Sequence, residues 1–198
     1  MTRARWGALA LLVRPAYIAT EYVVAAATTG GYSFVSDSVS KLGEVGCSEA
    51  YCSPRHELMN GSFMGFGVLL AGGGVLLARE LGPWATGLLV VSGLSSVATG
   101  LAPLDQDATL HALAATPLFV AQPLSLLVIG HRLRKESPVL ARGLLVTGVV
   151  TGSAAVAFVL AGEESAAAGA LERLSLWPVL IGLAAAGLRS RRARSRTA

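Results

Sequence analysis

Two carboxylates and a histidine lie close together in the stretch Pro103-Leu104-Asp105-Gln106-Asp107-Ala108-Thr109-Leu110-His111. With a turn at Pro103 and a helix starting near Thr109, Asp105 and His111 could reach one centre as a catalytic pair. Histidine serves readily near neutral pH as a general base or a metal ligand. Asp107 reads equally well as the cap of that helix, accepting from its free N–H groups. His56 and Glu57 hold a matching place before another apolar segment, with Asn60 just inside it. If those two segments are neighbours, His56, Asn60, Asp105 and His111 share one pocket. His56, Asp105 and His111 would then be the ligands of a divalent metal such as zinc; a solvated histidine is the plainer alternative at each position.

The chain has two cysteines, Cys47 and Cys52, in its longest polar interval. In an oxidising compartment this spacing reads as a disulfide closing a small loop, while one pair with no second pair nearby is a weak zinc signal. Within the apolar stretches, Arg14, Tyr17 and Glu21 fall on one helical face, and Arg14 and Glu21 are about 10 Å apart along the axis, nearly within reach of an ion pair. Ser92, Ser95, Ser96 and Thr99 mark one side of a later stretch, and His111, Ala115, Leu118 and Gln122 run down one side of the next. Ionisable groups at membrane depth face the interior of a bundle, so Arg14 and Glu21 belong either to packing or to a substrate path. No Gly-x-Ser-x-Gly elbow, His-Glu-x-x-His pair or Gly-Lys-Ser/Thr phosphate loop is present.

The elements that must position these groups follow from composition. Of 198 residues, 53% are hydrophobic and 14% charged, and the mean hydropathy is +0.60, which puts the chain outside the soluble class. Six stretches are long enough to cross a bilayer: Trp6 to Thr28, Leu58 to Ala78, Pro83 to Ala102, Leu110 to Gly130, Gly143 to Gly162 and Leu174 to Leu188. The fold class is an all-α bundle of six spans, one domain over residues 1–188 with an outer loop at 30–57 and a basic tail at 189–198. The net charge of +4 sits in short basic clusters between the spans, which fits membrane orientation and excludes a nucleic-acid face. Arg79, Arg132, Arg134, Lys135, Arg142 and the Arg-rich tail lie on one side, while most acids lie on the other. Both termini are therefore expected in the cytoplasm of a cell-membrane protein. Ala25-Ala26-Ala27 resembles a signal-peptide cleavage site, but Arg14-Pro15 and Glu21 are poor in a signal core. Pro15, Pro117 and Pro123 are expected to kink their helices. Gly61-x-x-x-Gly65 and Gly148-x-x-x-Gly152 are expected to pack helices closely, inside the bundle or between copies.

Tyr32-Ser33, Ser36, Ser40, Leu42-Gly43, Met59-Asn60, Phe63, Gly67, Gly100, Pro103, Asp105 and His111 form a pattern that resembles the prokaryotic membrane family catalogued as domain of unknown function 998. The resemblance covers Gly7 to Leu188 and is most specific at Ser40-x-Leu42-Gly43 and at Pro103-x-Asp105 with His111. It is similar in layout to eukaryotic six-span proteins linked to lipid-anchor remodelling, and so implies a site made of Ser40, Asn60, Asp105 and His111. The leading expectation is a protein that binds a membrane lipid or amphiphile headgroup in an outward-facing pocket. Asn60 would donate, Ser36 and Ser40 would orient, and Asp105 with His111 would meet a polar or cationic group. A metal-dependent lipid hydrolase or transferase, and an accessory subunit or homo-oligomer packing through its glycines, are the alternatives.

Overall fold

The computed structural model describes residues 3–195, and among them the regular structure is helical: α1 (Arg3–Leu12), α2 (Ala16–Ala25), α3 (His56–Leu76), α4 (Ala78–Leu81), α5 (Pro83–Leu101), α6 (Ala108–Leu133), α7 (Pro138–Ala161) and α8 (Ala168–Ser195). Six helical segments, α1 with α2 counting as one, are long and apolar enough to cross a membrane. A helix pairs most of its backbone within the span, which is what lets it sit in hydrocarbon. The outside of the bundle is correspondingly greasy, with Val68, Leu94, Leu113, Val146, Leu160 and Ile181 exposed. The chain is a multi-pass membrane protein.

The spans close into a ring in chain order: α1 packs on α3, α3 on α5, α5 on α6, α6 on α7, α7 on α8 and α8 back on α1. Small residues make the tightest of these contacts. A Cβ added to Gly67 of α3 would sit 2.6 Å from the Gly93 carbonyl oxygen of α5, so glycine is required on both sides of that crossing. Gly148 of α7 similarly lies against Pro123 and Leu127 of α6. Gly61 and Gly65 do not pack helices inside the bundle: they face outward with open space around them.

Proline shapes the interior at two places. Pro15 has no N–H to give and ends α1 before α2 begins, so Arg14 sits at the break with its side chain turned inward and buried. Pro117 does not end α6, but it opens the ladder there. The Ser95 hydroxyl of α5 fills the opening: it donates to the Ala114 carbonyl and accepts from the Leu118 amide at 3.1 Å.

Residues 26–55 fold over one end of the ring, called here the loop end. They carry a short 3-10 turn (Ser40–Gly43) and the Cys47–Cys52 disulfide. Thr29 and Cys52 pair as an isolated antiparallel bridge. The last span begins at Ala168, earlier than the apolar run alone implies, which draws Glu172 and Arg173 out of the expected loop and into a buried helical turn. The basic tail expected at 189–198 continues α8 to Ser195, and residues 196–198 lie outside the described residues.

Candidate functional site

Arg173 is the most heavily bonded side chain at the loop end. Its Nε donates to Glu21 Oε1 at 2.6 Å, and Nη1 donates to the carbonyls of Phe34, Asp37 and Gly169 at 2.8, 2.8 and 2.9 Å. Nη2 donates to the Tyr32 hydroxyl. Trp177 Nε1 donates to the other oxygen of Glu21 at 2.9 Å. The cation, its counter-ion and the loop carbonyls are thus fully satisfied. Burial pushes the Tyr32 phenol well above its ordinary range, against the pull of Arg173. The intramembrane pair expected between Arg14 and Glu21 is therefore corrected: Glu21 is paired with Arg173.

Arg14 is placed quite differently. Its Nη1 donates to the Phe66 carbonyl at 2.8 Å, its Nε has no partner, and among the described residues no carboxylate forms an ion pair with it. Phe66 lies ten residues into α3, about 15 Å below the loop end at 1.5 Å per residue. The Tyr17 hydroxyl and Gln122 Oε1 are also buried without partners. All three residues line one inner cavity of about 40 Å³, together with Ser40, Ser96 and Glu172. That volume holds roughly two or three waters.

Above the cavity, Ser40, His111 and Glu172 form a buried polar cluster. His111 Nδ1 lies 2.6 Å from the Ala102 carbonyl oxygen, and its Nε2 lies 2.9 Å from Ser40 Oγ. A carbonyl can only accept, so Nδ1 carries the proton and Nε2 accepts from the Ser40 hydroxyl. Glu172 Oε2 accepts the Val39 amide at 2.5 Å, and Oε1 stands 3.5 Å from Ser40 Oγ. Outside this cluster lies a vestibule of about 260 Å³, walled by His111, Ala112, Thr116, Phe158, Val159 and Glu163 among others. Ser40, Ala115, Phe119 and Glu172 line both spaces.

A family model described as "Protein of unknown function (DUF998)" matches residues 7–189. The chain belongs to that family. No curated protein and no solved structure matches it.

In this DUF998 member, Ser40 and His111 of the expected site meet, and the others serve elsewhere. Asn60 Nδ2 donates to the Gly43 carbonyl at 2.8 Å, so it holds the 3-10 turn rather than facing the cavity. The same contact leaves no room for a side chain at Gly43, whose Cβ would collide with Asn60 Oδ1. Exposed Asp105 accepts from the amides of Val45 and Gly46 at 3.1 and 2.7 Å. Burial works to raise its carboxyl, but those amides and Gln106 outweigh it and hold Asp105 below the usual carboxylate range. Asp107 caps α6, accepting from the Leu110 amide at 2.9 Å. The Ser36 amide lies in a turn under Ser33 Oγ, and Ser36 lines neither space.

The expected metal cluster does not assemble. His56 Nδ1 lies 2.9 Å from the Ser53 carbonyl, and α5 packs between α3 and α6, separating the helix that carries His56 from the one that carries His111. Among the described residues no group of three His, Cys, Asp or Glu side chains is placed to hold a metal ion.

Glu172 and Arg173 are absent from the sequence-based site because an interval rich in charge reads as a loop. The signal was present in register: Glu172, Ser175, Val179 and Leu183 repeat at helical spacing, and all are buried.

Proposed function

We propose that this protein binds an anionic amphiphile, a carboxylate or phosphate group carrying an acyl chain, in a pocket that opens at the outer face of the membrane. The observation that carries the reading is Arg14: a residue 3% exposed, without a carboxylate partner among the described residues, on a cavity that adjoins a wider vestibule. An unpaired buried charge costs several kcal/mol, on the order of the penalty for stripping water from one ion. An anion entering the cavity would recover much of that cost. Tyr17 would donate to the same group through its free hydroxyl, while Gln122 would accept through Oε1 or donate through its amide. Phe119 and Phe158 offer apolar walls for the chain.

The test is the lipid that stays with the protein through purification in mild detergent, identified by mass spectrometry for wild type and for Arg14→Gln. An anionic amphiphile retained by wild type and lost from the variant is the expected outcome. Equal retention by both would remove Arg14 from the site and the reading with it.

A further inference from the structure

Ser40 and His111 are joined in a way that binding alone does not require. The Ser40 hydroxyl has one proton, and two bases stand near it: His111 Nε2 at 2.9 Å and Glu172 Oε1 at 3.5 Å. The shorter contact takes the hydrogen bond. The Ala102 carbonyl fixes the tautomer that leaves Nε2 free to accept. This is the order of parts in an activated serine: hydroxyl, imidazole, and a third group that orients the imidazole, here a backbone carbonyl in place of a carboxylate.

The supports of the serine are as firm as its partners. Val39, just before it, gives its amide to Glu172. Leu42 and Gly43, just after it, are held through their carbonyls by Ser53 Oγ at 2.7 Å and Asn60 Nδ2 at 2.8 Å. A nucleophile needs such fixed geometry, because a small displacement of the attacking atom costs much of the rate. Ser40 and His111 are 6% and 5% exposed, yet both line the vestibule, and Ser40 also lines the inner cavity. A ligand whose charged group sits at Arg14 would pass its chain beside Ser40.

We infer that Ser40 is the nucleophile, and His111 the general base, of an acyl-transfer site acting on a carboxylic ester of an amphiphile. The substrate class rests on the binding reading above. In the first step the Ser40 proton passes to His111 Nε2 as Oγ bonds to the ester carbonyl carbon. The bond from that carbon to the alcohol oxygen then breaks, and the alcohol leaves with the proton from His111. In the second step water, or an acceptor alcohol, gives its proton to His111 and attacks the acyl group. The Ser40 ester breaks, and Oγ regains its proton. Glu172 acts as a positioning residue, holding the Val39–Ser40 backbone through the amide bond.

The test is covalent trapping of the whole protein in mild detergent by two probes, methanesulfonyl fluoride and a long-chain alkyl fluorophosphonate, with the modified residue located by mass spectrometry. Each probe bonds to Oγ and expels fluoride, so it reports nucleophilicity with no natural substrate needed. We expect one adduct, on Ser40, forming on the order of 10²- to 10⁴-fold more slowly in His111→Gln, whose neutral amide is no base. Absence of a Ser40 adduct from both probes overturns the inference, and so does an unchanged rate in His111→Gln. If that variant does not fold, the wild-type adduct decides alone. The two readings fail separately. Retained amphiphile with no adduct removes the nucleophile and leaves the binding site; an adduct with no retained amphiphile does the reverse.

Discussion

The protein buries two arginines in one bundle, and their surroundings are opposite. Arg173 has a carboxylate, a phenol and three carbonyls around it, whereas Arg14 has one carbonyl, an unpartnered Nε and a cavity. A cation in a membrane interior is tolerated when its donors are satisfied and its charge is matched. Arg173 meets both conditions within the chain, so its task is to tie α2, α8 and the loop over residues 26–55 together. Arg14 meets neither among the described residues, and that difference is the ground for the ligand proposed above.

The largest effect should come from breaking the satisfied pair. Arg173→Met leaves Glu21 buried without its counter-ion and should lower stability by about 3–5 kcal/mol, read as a fall in melting temperature in detergent. Adding Glu21→Gln to that variant should return part of the loss. If Arg173→Met melts like wild type, the contrast between the two arginines disappears.

Next in size is the loop that Arg173 holds from one side and the disulfide stiffens from the other. Replacing Cys47 and Cys52 with serine should cost about 2 kcal/mol by the chain-entropy estimate for so short a loop. Limited proteolysis should then cut within residues 44–54. A comparable loss, about 1–3 kcal/mol, is expected for Ser95→Ala, which strands the Leu118 amide at the Pro117 opening.

The smallest effect concerns pH. Asp105 is held below the ordinary carboxylate range by the Val45 and Gly46 amides. A depressed folded-state value means that its contribution is present at neutral pH and is lost as pH falls from the ordinary carboxylate range through the folded value. Glu44 runs the other way: burial and the neighbouring Asp105 raise it, so protonation relieves it. The net change in stability should be small, but the protection of the Gly46 amide, its exchange relative to the intrinsic rate at each pH, should fall below the carboxylate range in wild type. In Asp105→Asn that protection should be much less dependent on pH.

Much of this architecture is legible in the sequence. Six apolar runs of bilayer length fix the spans, and Pro15 fixes the break that turns Arg14 inward. The polar faces of the first, third and fourth spans, including Gln122, lie inside as helical spacing requires. Asp107 could be read as a cap from its place before α6, and it is one. What spacing could not supply is which spans touch. Because α5 separates α3 from α6, His56 and His111 belong to different surroundings, and Glu21 pairs with Arg173 where the first and last spans close the ring. The Ser40–His111 contact joins residues seventy-one positions apart, beyond the reach of helical spacing, and only the family resemblance puts the two in one site. Asn60 and Asp105 point to chemistry by residue type, by their place near the span ends and by the same resemblance, but the loop backbone claims both.

The central claim is that Arg14 is unpaired because a ligand completes it. Delipidated wild type and Arg14→Met should be melted in detergent with increasing amounts of an anionic amphiphile, dodecyl phosphate, and of an uncharged one, dodecanol. Without ligand, Arg14→Met should melt at or above wild type, since methionine removes an unmatched buried charge. With dodecyl phosphate, wild type should gain stability by about 2.7 kcal/mol at one hundred times the dissociation constant, while Arg14→Met and the dodecanol series stay flat. A ligand-free Arg14→Met that melts far below wild type, with equal gains in both proteins on adding dodecyl phosphate, would contradict the claim and make Arg14 a second structural arginine.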